Sequence, residues 1–511
     1  MAIPTELNDD TLYIRKKDET YLQVFATDAI LASLSDFFSF YVPGHQFMPK
    51  FRMKLWDGKL RLFSKVNGEI YVGLLAHLKE YARQHEYAVV FTDGDLDLEE
   101  EFSVTEAEDF AKTLNLHANH EGEFKPITPH DYQIAAFRHA IQAGRSLLLS
   151  PTASGKSLII YLIVRYYQQF VNGKILIVVP TTSLVAQLFN DFGEYSYDDK
   201  WDVRDQAHMI HEGQEKNVDK QVYISTWQSI YKLGAHYFEQ FEVIIGDEAH
   251  SFKADSLTAI MRKSTLAKYR TGTTGTLDGT KTHKLVLEGM FGRVYKVTTT
   301  VQLQKEGKIA DMMINCLMLH YSEETCKRMK NSKFQDEISF LVENVKRNKF
   351  IRNLALSLKG NTLILFQLVK RHGKPLHADI EARAADGRKV FFVSGNTATE
   401  DREDIRRITE SESDAIIVAS YGTFSTGINI RNLHNVIFAS PSKSRIRILQ
   451  SLGRGLRKGD SKTILNLFDI SDVLEYKSWK NHTLRHFIAR MELYNSEKFN
   501  YKIFKVRLKE E

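Results

Sequence analysis

Residues 150–157, with the sequence S-P-T-A-S-G-K-S, have the residue types of a phosphate-binding loop. The apolar residues 146–149 precede them and predict a short buried strand, and the apolar run 158–164 predicts a helix. Backbone N–H groups of a tight loop and the helix N-terminus that follows it together attract an anion. The stretch therefore predicts a nucleotide phosphate site.

Individual side chains of this loop have distinct expected roles. Lys156 would contact the β- and γ-phosphates of ATP, and the Ser157 hydroxyl would hold Mg²⁺. The loop residues expected to surround the phosphates are Thr152, Ser154 and Gly155. Ser150 stands where the pattern G-x-x-x-x-G-K-[ST] begins with glycine. A Gly-Lys-Ser turn before a core helix is therefore the alternative, and the loop needs partners elsewhere in the chain.

Two adjacent carboxylates, Asp247 and Glu248, follow the apolar run 241–246, about 90 residues after Lys156. Hydrolysis of a phosphoanhydride needs Mg²⁺ on the phosphates and a group that orients the attacking water. Asp247 would hold Mg²⁺, directly or through water, and Glu248 would orient and deprotonate the water. The alternative is an exposed acidic pair at a strand end.

A third candidate element is the glycine-containing basic motif Q-S-L-G-R-G-L-R at residues 450–457. Arg454 and Arg457 are three residues apart and share one helix face, where two guanidiniums would stabilise charge on a transferring phosphoryl group. Gln450 opens the motif and is assigned to the catalytic set with them. A solvated basic face is the alternative, although it leaves the two glycines without a reason.

About twenty residues before the loop, Tyr132 and Gln133 begin an amphipathic helix. A glutamine amide can pair with both the donor and the acceptor edge of adenine, and a tyrosine ring can stack on it. We predict that both residues contact the nucleotide base; an ordinary helix start is the alternative.

Strands that alternate with helices predict an α/β fold with two doubly wound parallel sheets, each ending in polar residues. The first series of apolar runs covers 174–180, 221–226, 241–246 and 269–276, and the second covers 361–366, 389–395, 415–420, 435–439 and 463–469. A smaller α/β unit precedes them. We divide the chain into residues 1–112, 113–300 and 301–511, the last with a helical tail.

The first of these units contains a segment, residues 47–61, in which basic and aromatic residues interleave. Cations suit phosphates and rings suit bases, so the segment is a candidate nucleic-acid surface. A hairpin with internal rings and solvated charges produces the same alternation. The residues assigned to nucleic-acid binding here are Lys50, Arg52, Lys54, Trp56, Lys59 and Arg61.

Composition restricts the class of protein. The 511 residues carry a net charge of +5, which permits nucleic-acid binding, and two cysteines do not suffice for a disulfide framework or a zinc module. The N-terminus has no signal-peptide pattern, and no apolar run is long enough to span a membrane. We therefore expect a soluble cytoplasmic protein, in the host cytoplasm if the chain is phage-encoded.

Taken together, seven motifs resemble those of the superfamily 2 helicases and occur in the same order. They are S-P-T-A-S-G-K-S, V-V-P-T-T-S-L-V-A-Q, I-S-T-W-Q-S, D-E-A-H, T-G-T-T-G-T, S-T-G-I-N and Q-S-L-G-R-G-L-R. The segments F-F-S-F, F-R-x-x-x-W-D-G-x-x-R-L, G-M-F-G-R-V-Y-K and E-K-F-N-Y extend the resemblance, over nearly the whole chain, to the phage UvsW-type helicases. Gly427 and Asn429 stand where many relatives have Gly and Asp, and the resemblance assigns them to the nucleotide site.

The resemblance implies two RecA-like domains with ATP in the cleft between them. It also implies Holliday-junction branch migration, fork regression and unwinding of RNA–DNA hybrids in displaced-strand loops, with 3′ to 5′ polarity, in recombination, repair and replication. We expect a monomer that binds branched, single-stranded and duplex DNA, with a small protein partner left open. The residues expected to hold DNA phosphates at helix N-termini are Thr181, Thr182, Thr226 and Thr423.

Three other functions remain open from the sequence. A double-stranded DNA translocase would move without separating strands, and an RNA helicase would use the same motifs on another substrate. A nucleotide-dependent binding switch is the third, although a switch that does not hydrolyse ATP has no need of Glu248.

Overall fold

A computed structural model describes residues 6–92, 101–120, 122–211, 213–252, 255–277, 280–395, 397, 399–423, 432–440 and 464–508. The described chain divides into two compact units. The first comprises Met1–Ser150 and Ser154–Thr298, and the second comprises Pro151–Ala153 and Thr299–Glu511. The three-domain division with limits at 112 and 300 stays a prediction.

The N-terminal part of the first unit is a small mixed sheet with three helices, one of them a single turn, and a separate two-stranded hairpin. Its strands are β1 (Thr11–Lys16), β2 (Tyr21–Phe25), β3 (Ser39–Tyr41), β4 (Lys59–Arg61), β5 (Phe63–Ser64), β6 (Glu69–Tyr71) and β7 (Ala88–Phe91). Its helices are α1 (Asp28–Phe37), the single turn α2 (Pro49–Arg52) and α3 (Leu75–Gln84). The sheet order is β5-β6-β2-β1-β7, and β3 pairs only with β4 among the described strands.

The Asn67-Gly68 turn joins β5 to β6, as its dipeptide predicts, because Gly68 adopts φ +67°. Residues 59–64 do not form one continuous strand. The segment splits into β4 and β5, since β4 pairs with β3 while Phe63 turns into the core.

The rest of the first unit is a seven-stranded parallel sheet covered by helices on both faces. Its strands are β10 (Arg145–Leu149), β11 (Lys174–Val179), β12 (Ala207–Ile210), β13 (Val222–Thr226), β14 (Phe241–Gly246), β15 (Tyr269–Thr274) and β16 (Val294–Lys296), in the order β12-β13-β11-β14-β15-β10-β16. Its helices are α4 (Val104–Thr113), α5 (Asp131–Ala143), α6 (Lys156–Tyr167), α7 (Thr182–Tyr195), α8 (Val203–Gln206), α9 (Trp227–Ile230), α10 (Ala235–Phe238), α11 (Asp255–Lys263) and α12 (Lys281–Phe291). A hairpin of β8 (His117–His120) and β9 (Glu123–Pro126) lies between α4 and α5.

The N-terminal sheet packs directly on α11 and α12 of the same unit. Gly73 lies so close to the main chain of α12 that a Cβ atom would overlap the Glu288 carbonyl. The buried Arg270 guanidinium donates to the Thr20 hydroxyl at 2.8 Å and to the Ser264 carbonyl at 2.6 Å. These bonds satisfy a buried charge that would otherwise oppose docking, so the small sheet is fixed to the first parallel sheet.

The second unit also contains a seven-stranded parallel sheet, which confirms the predicted fold class. Its strands are β17 (Asp311–His320), β18 (Thr362–Phe366), β19 (Val390–Val393), β20 (Ile416–Ser420), β21 (Asn435–Phe438), β22 (Ile464–Val473) and β23 (Tyr501–Arg507), in the order β19-β20-β18-β21-β22-β17-β23. Its described helices are α13 (Thr300–Lys305), α14 (Glu323–Met329), α15 (Phe334–Glu343), α16 (Val345–Ser357), α17 (Lys374–Glu381), α18 (Thr399–Ser411) and α19 (His482–Ser496). A π-helical turn, Val369–Gly373, precedes α17.

The predicted helical tail is α19, and a buried ion pair holds it on the sheet. The Arg490 guanidinium donates to both carboxylate oxygens of Asp469 at 2.8 Å, and the Tyr494 hydroxyl donates to the same carboxylate at 2.9 Å. All three side chains are buried, so each charge is matched within the core.

Candidate active site

The loop at residues 150–157 follows β10 and ends at the first turn of α6. Gly155 caps the helix with φ +77°, and Ala153 is also left-handed at φ +69°. The Ser150 and Ser154 hydroxyls lie 2.5 Å apart across the loop, so the serine in place of the usual glycine closes the turn with its side chain. Helix α6 is almost wholly buried from Leu158 to Val164, which fixes the direction of its N-terminus.

Lys156 and Ser157 begin α6 and are half-buried. The Lys156 ammonium donates to the Ser150 carbonyl at 3.3 Å, so the side chain folds back over the loop. The Ser157 hydroxyl lies 2.8 Å from the Tyr195 hydroxyl of α7. Tyr195 is a contact that motif spacing did not indicate, because it comes from a helix nearly forty residues away.

Gln133 contacts the loop itself. Its Nε2 donates to the Ser154 carbonyl at 2.9 Å, and its Oε1 accepts the His130 N–H at 2.8 Å in the capping box of α5. Tyr132 is half-buried beside the His130 ring, and Thr152 is half-buried in the loop. The structure therefore places Gln133 as a brace of the phosphate loop; base contacts by Tyr132 and Gln133 stay a prediction.

Asp247 lies at the carboxyl end of β14, two strands away from the loop-bearing β10. Its carboxylate is buried and accepts a hydrogen bond from the Thr273 hydroxyl at 2.6 Å. Burial, together with the neighbouring Glu248 carboxylate, raises the pKa of Asp247, while the charge of Lys156 opposes that rise. A buried acid in this state gains from a cation placed beside it.

Glu248 adopts a left-handed backbone, with φ 49° and ψ 49°. This conformation is uncommon for a residue with a Cβ and costs about 1 kcal/mol or more. The Glu248 Oε2 atom lies 3.3 Å from His250 Nδ1, which also lies 3.1 Å from the Thr274 hydroxyl. His283 Nε2 in turn lies 3.1 Å from the His250 carbonyl.

The hydroxyls of Thr273 and Thr274 contact the acidic pair and its histidine, and we had not assigned either residue. The sequence does give an indication of these two threonines, because small hydroxyl residues stand at the end of this strand. His283 carries no such signal, since α12 brings it to the site from more than thirty residues away.

The hydroxyl of Ser157 and the carboxylate of Asp247 are oxygen donors of the kind that Mg²⁺ takes at a nucleotide site. Among the described residues, no group of three or more His, Cys, Asp or Glu side chains could hold a metal ion. Mg²⁺ at nucleotide sites is bound by one or two protein oxygens plus phosphates and water, which is what Ser157 and Asp247 offer.

The threonines assigned to DNA phosphates occupy two kinds of position. Thr181 caps α7, where its hydroxyl accepts the Leu184 N–H at 3.4 Å, and Thr182 is exposed beside it. Thr226 and Thr423 are buried, with hydroxyls 2.9 Å from Ser229 and 2.7 Å from Ser420. The buried hydroxyls therefore brace their own turns, and DNA contact by these four positions stays a prediction.

The segment with interleaved cations and rings forms the β3–β4 hairpin and its connecting turns, residues 39–61, hereafter the basic hairpin. Lys50, Arg52 and Lys54 are exposed. Three others have partners inside the hairpin. The Trp56 Nε1 donates to the Lys59 carbonyl at 2.9 Å, and Arg61 donates to the Asp57 carboxylate.

Five assigned residues lie outside the described part of the chain. They are Gln450, Arg454 and Arg457 of the arginine motif, and Gly427 and Asn429. Their expected roles stay predictions.

The carboxyl edge of the second sheet is joined by a buried network that the sequence did not indicate. The Ser440 hydroxyl, just after β21, accepts the Gln367 N–H at 3.2 Å and lies 3.1 Å from His372 Nδ1. The Ser440 carbonyl accepts the Tyr421 hydroxyl at 3.0 Å. The loops after β18, β20 and β21 are thereby bonded to one residue. Nearby, Arg347 is paired with Asp472 by bonds of 2.8 and 3.1 Å.

A phosphate loop braced by glutamine, an Asp-Glu pair whose aspartate is buried near the loop lysine, and a second parallel sheet define the class of ATP-dependent helicases of superfamily 2. Three family descriptions match the chain accordingly. Residues 11–92 match "DNA helicase UvsW, N-terminal", residues 126–279 match "Type III restriction enzyme, res subunit", and residues 345–459 match "Helicase conserved C-terminal domain".

The chain belongs to the UvsW family of ATP-dependent DNA helicases. It is 34% identical over 504 residues to the ATP-dependent DNA helicase uvsW of Enterobacteria phage T4, covering 96% of this chain and 98% of that protein. It is 23% identical over 370 residues to the DNA 3′-5′ translocase XPB2 of Sulfurisphaera tokodaii, covering 66% of this chain and 80% of the relative.

Solved structures agree with this assignment. The crystal structure of T4 UvsW matches with a TM-score of 0.51 and 31% identity, covering 98% of this chain and all of that one. The restriction-modification enzyme LlaBIII bound to DNA matches with a TM-score of 0.56 at 17% identity over 76% of this chain and 32% of its own, which shows the fold alone. Within the described residues, no helix has the length and apolar character needed to cross a bilayer.

Proposed function

We propose that this helicase acts on branched DNA, by Holliday-junction branch migration, fork regression and unwinding of RNA–DNA hybrids in displaced-strand loops. The observation that carries the proposal is the N-terminal segment, residues 11–92, which matches the UvsW N-terminal domain and presents an exposed basic hairpin. The motor domains alone are shared with translocases and restriction enzymes, so substrate choice has to come from what is added to them.

The hydrolytic chemistry follows from the residues around the loop. Lys156 would leave the Ser150 carbonyl for the β- and γ-phosphates, and Glu248, braced by His250, would orient and deprotonate the attacking water. Mg²⁺, held by Ser157 and Asp247, would neutralise phosphate charge. Arg454 and Arg457, with Gln450, would stabilise the charge on the transferring phosphoryl group.

Lys156→Ala and Glu248→Gln test this assignment. Each variant should lose DNA-stimulated ATP hydrolysis by a factor of about 100 or more, because one removes a phosphate contact and the other the water-orienting carboxylate. Lys200→Ala, at an exposed lysine after α7, is the control and should hydrolyse ATP like the wild type. Turnover close to that of the wild type in either site variant would contradict the active-site assignment.

Substrate choice is tested by the ATPase rate with no nucleic acid, single-stranded DNA, duplex, a four-way junction and single-stranded RNA. The proposal expects the strongest stimulation by the junction. Phe102, Ala107 and Ala111 pack into the core of the first parallel sheet, so removing residues 1–112 would open that core. Joint replacement of Lys50, Arg52 and Lys54 by Gln is the cleaner variant, and it should weaken the stimulation by the junction.

Equal stimulation by any duplex, unchanged in that variant, would favour a double-stranded DNA translocase, which the similarity to XPB2 keeps open. The same similarity supports 3′ to 5′ movement. We further propose that the protein works as a monomer in the cytoplasm of a bacterial host, as the phage relative suggests, and leave a small protein partner open.

A further inference from the structure

The basic hairpin exposes large apolar side chains at the end away from its paired strands. Phe47 is 68% exposed, Met53 66% and Leu55 72%. We call these three residues the apolar tip. Three large apolar side chains are thus exposed within nine consecutive residues, and exposed apolar side chains that cluster mark interaction sites on a protein surface.

The tip is held by an internal scaffold. At the base, Phe40 and Leu60 pair across β3 and β4 and pack against the core of the N-terminal sheet. Above them the His45 ring stacks on Tyr41 at 4.8 Å and meets Phe51 edge-on at 4.7 Å. The exposed side chains are therefore presented by an ordered structure whose own core is already filled.

Two backbone positions reinforce this scaffold. Gly58 has φ +80° and lies against the His45 ring so closely that a Cβ atom would overlap it. Lys54, between Met53 and Leu55, is left-handed at φ 55°. The turn at Lys54 places a cation between Met53 and Leu55, two of the three residues of the apolar tip.

The charge of the hairpin selects an anionic partner. Residues 39–61 contain five Lys and Arg residues and a single acidic residue, Asp57, which is paired with Arg61. Lys50, Arg52 and Lys54 are exposed and interleave with Phe47, Met53 and Leu55. Exposed apolar side chains among cations suit a partner that carries negative charge and also has flat apolar faces. Nucleic acid with exposed bases has both properties.

We propose that the apolar tip inserts against unpaired or end-stacked bases at a DNA branch point, while the adjacent cations hold the flanking phosphates. The inference rests on the proposed function, since it names the part of a branched substrate that the basic hairpin recognises. Continuous duplex presents phosphates outward and keeps base faces stacked, so it would engage the cations alone. Inserting an apolar wedge into continuous duplex requires a base step to be unstacked, which costs free energy, whereas stacking is already broken at a branch point.

The test replaces the apolar tip jointly by Phe47→Ser, Met53→Ser and Leu55→Ser. These side chains are exposed, so we expect the variant to melt at the wild-type temperature. Val66→Ser is the matched control, because Val66 is 99% exposed on the neighbouring β5–β6 turn, outside the basic hairpin. The ligands are a forked DNA with 2-aminopurine at the branch, a blunt duplex of equal length and a single strand.

We expect the tip variant to bind the fork about tenfold more weakly than the wild type, with little change on the blunt duplex. The rise in 2-aminopurine fluorescence that reports unstacking at the branch should be lost in the same variant and kept in Val66→Ser. Joint replacement of Lys50, Arg52 and Lys54 by Gln should instead weaken binding to all three ligands and reduce its salt dependence.

A wild type that prefers the fork, paired with a tip variant that keeps that affinity and the fluorescence rise, would overturn the inference and leave the branched-DNA proposal standing. The patch would then be a docking surface for a protein. A wild type that does not distinguish the fork from the duplex would overturn the proposed function itself, together with the inference built on it.

Discussion

Burial of His372 should make the second unit sensitive to acid. Its Nδ1 lies 3.1 Å from the Ser440 hydroxyl and its Nε2 lies 3.2 Å from the Asn348 amide oxygen. Loss of hydration, and secondly the charge of Arg347, lowers the pKa of His372 from 6.5 to about 3. In the unfolded chain His372 is therefore protonated below about pH 6.5, whereas in the folded protein it stays neutral down to about pH 3. The resulting stability is complete above about pH 6.5 and is lost as the pH falls toward 3.

The magnitude follows from the two pKa values. Each pH unit below 6.5 stabilises the protonated unfolded state by about 1.4 kcal/mol relative to the folded state. The free energy of unfolding therefore falls by about 2 kcal/mol between pH 8 and pH 5. For a unit of this size, that difference corresponds to about 4–8 °C in melting temperature. His372→Gln cannot take up the proton, so its melting temperature should fall less with acid by that amount, even if the variant starts lower at pH 8.

Thermal unfolding followed at several pH values between 8 and 5 measures the effect. His236→Gln is the matched control, because that imidazole is 98% exposed and its removal should leave the acid sensitivity unchanged. A difference between wild type and His372→Gln that is the same at pH 8 and pH 5 would refute the reasoning, since the imidazole would then titrate alike in both states.

Three further substitutions have outcomes that the geometry fixes. Gly155→Ala should abolish ATP hydrolysis in a steady-state assay, because φ is +77° there and the new Cβ would overlap the Gln133 amide. Asp469→Asn should lower the free energy of unfolding by about 3–5 kcal/mol in chemical denaturation, because it leaves a buried guanidinium uncompensated. Gly73→Ala should lose about 1–3 kcal/mol in the same measurement by forcing the N-terminal sheet off α12, whereas Gly234→Ala, with open space around its Cβ position, should not.

The parallel sheets could be predicted because their strands are buried on both faces. After their first residues β11 and β18 are continuously apolar, and such runs between polar turns have few other interpretations. Strand β23 was missed for the opposite reason. Its sequence, Y-K-I-F-K-V-R, is mostly exposed at the sheet edge, and only its register with β17 identifies it as a strand.

The residues of the candidate site also fall into those that the local sequence predicts and those that it does not. Phosphate chemistry limits which residues can follow the strands, so Lys156, Ser157 and the acidic pair carry a local signal. Tyr195, His283 and Ser440 carry none, because each acts through a contact between elements far apart in the chain. The burial of Thr226 and Thr423 and their contacts to Ser229 and Ser420 likewise have no sign in the sequence, and their contact with DNA stays a prediction.

Backbone and electrostatic strain are concentrated where the nucleotide chemistry takes place. Ala153, Gly155 and Glu248 all have positive φ, and Asp247 is a carboxyl whose pKa is raised by burial. Each feature opposes folding locally and persists because rigid apolar strands and the buried helix α6 hold the loops in place. Because burial raises the pKa of Asp247, the ionised carboxylate destabilises the folded protein unless a cation lies beside it. Mg²⁺ and nucleotide should therefore stabilise this edge of the sheet, so nucleotide binding and local stability are linked at the same carboxylate.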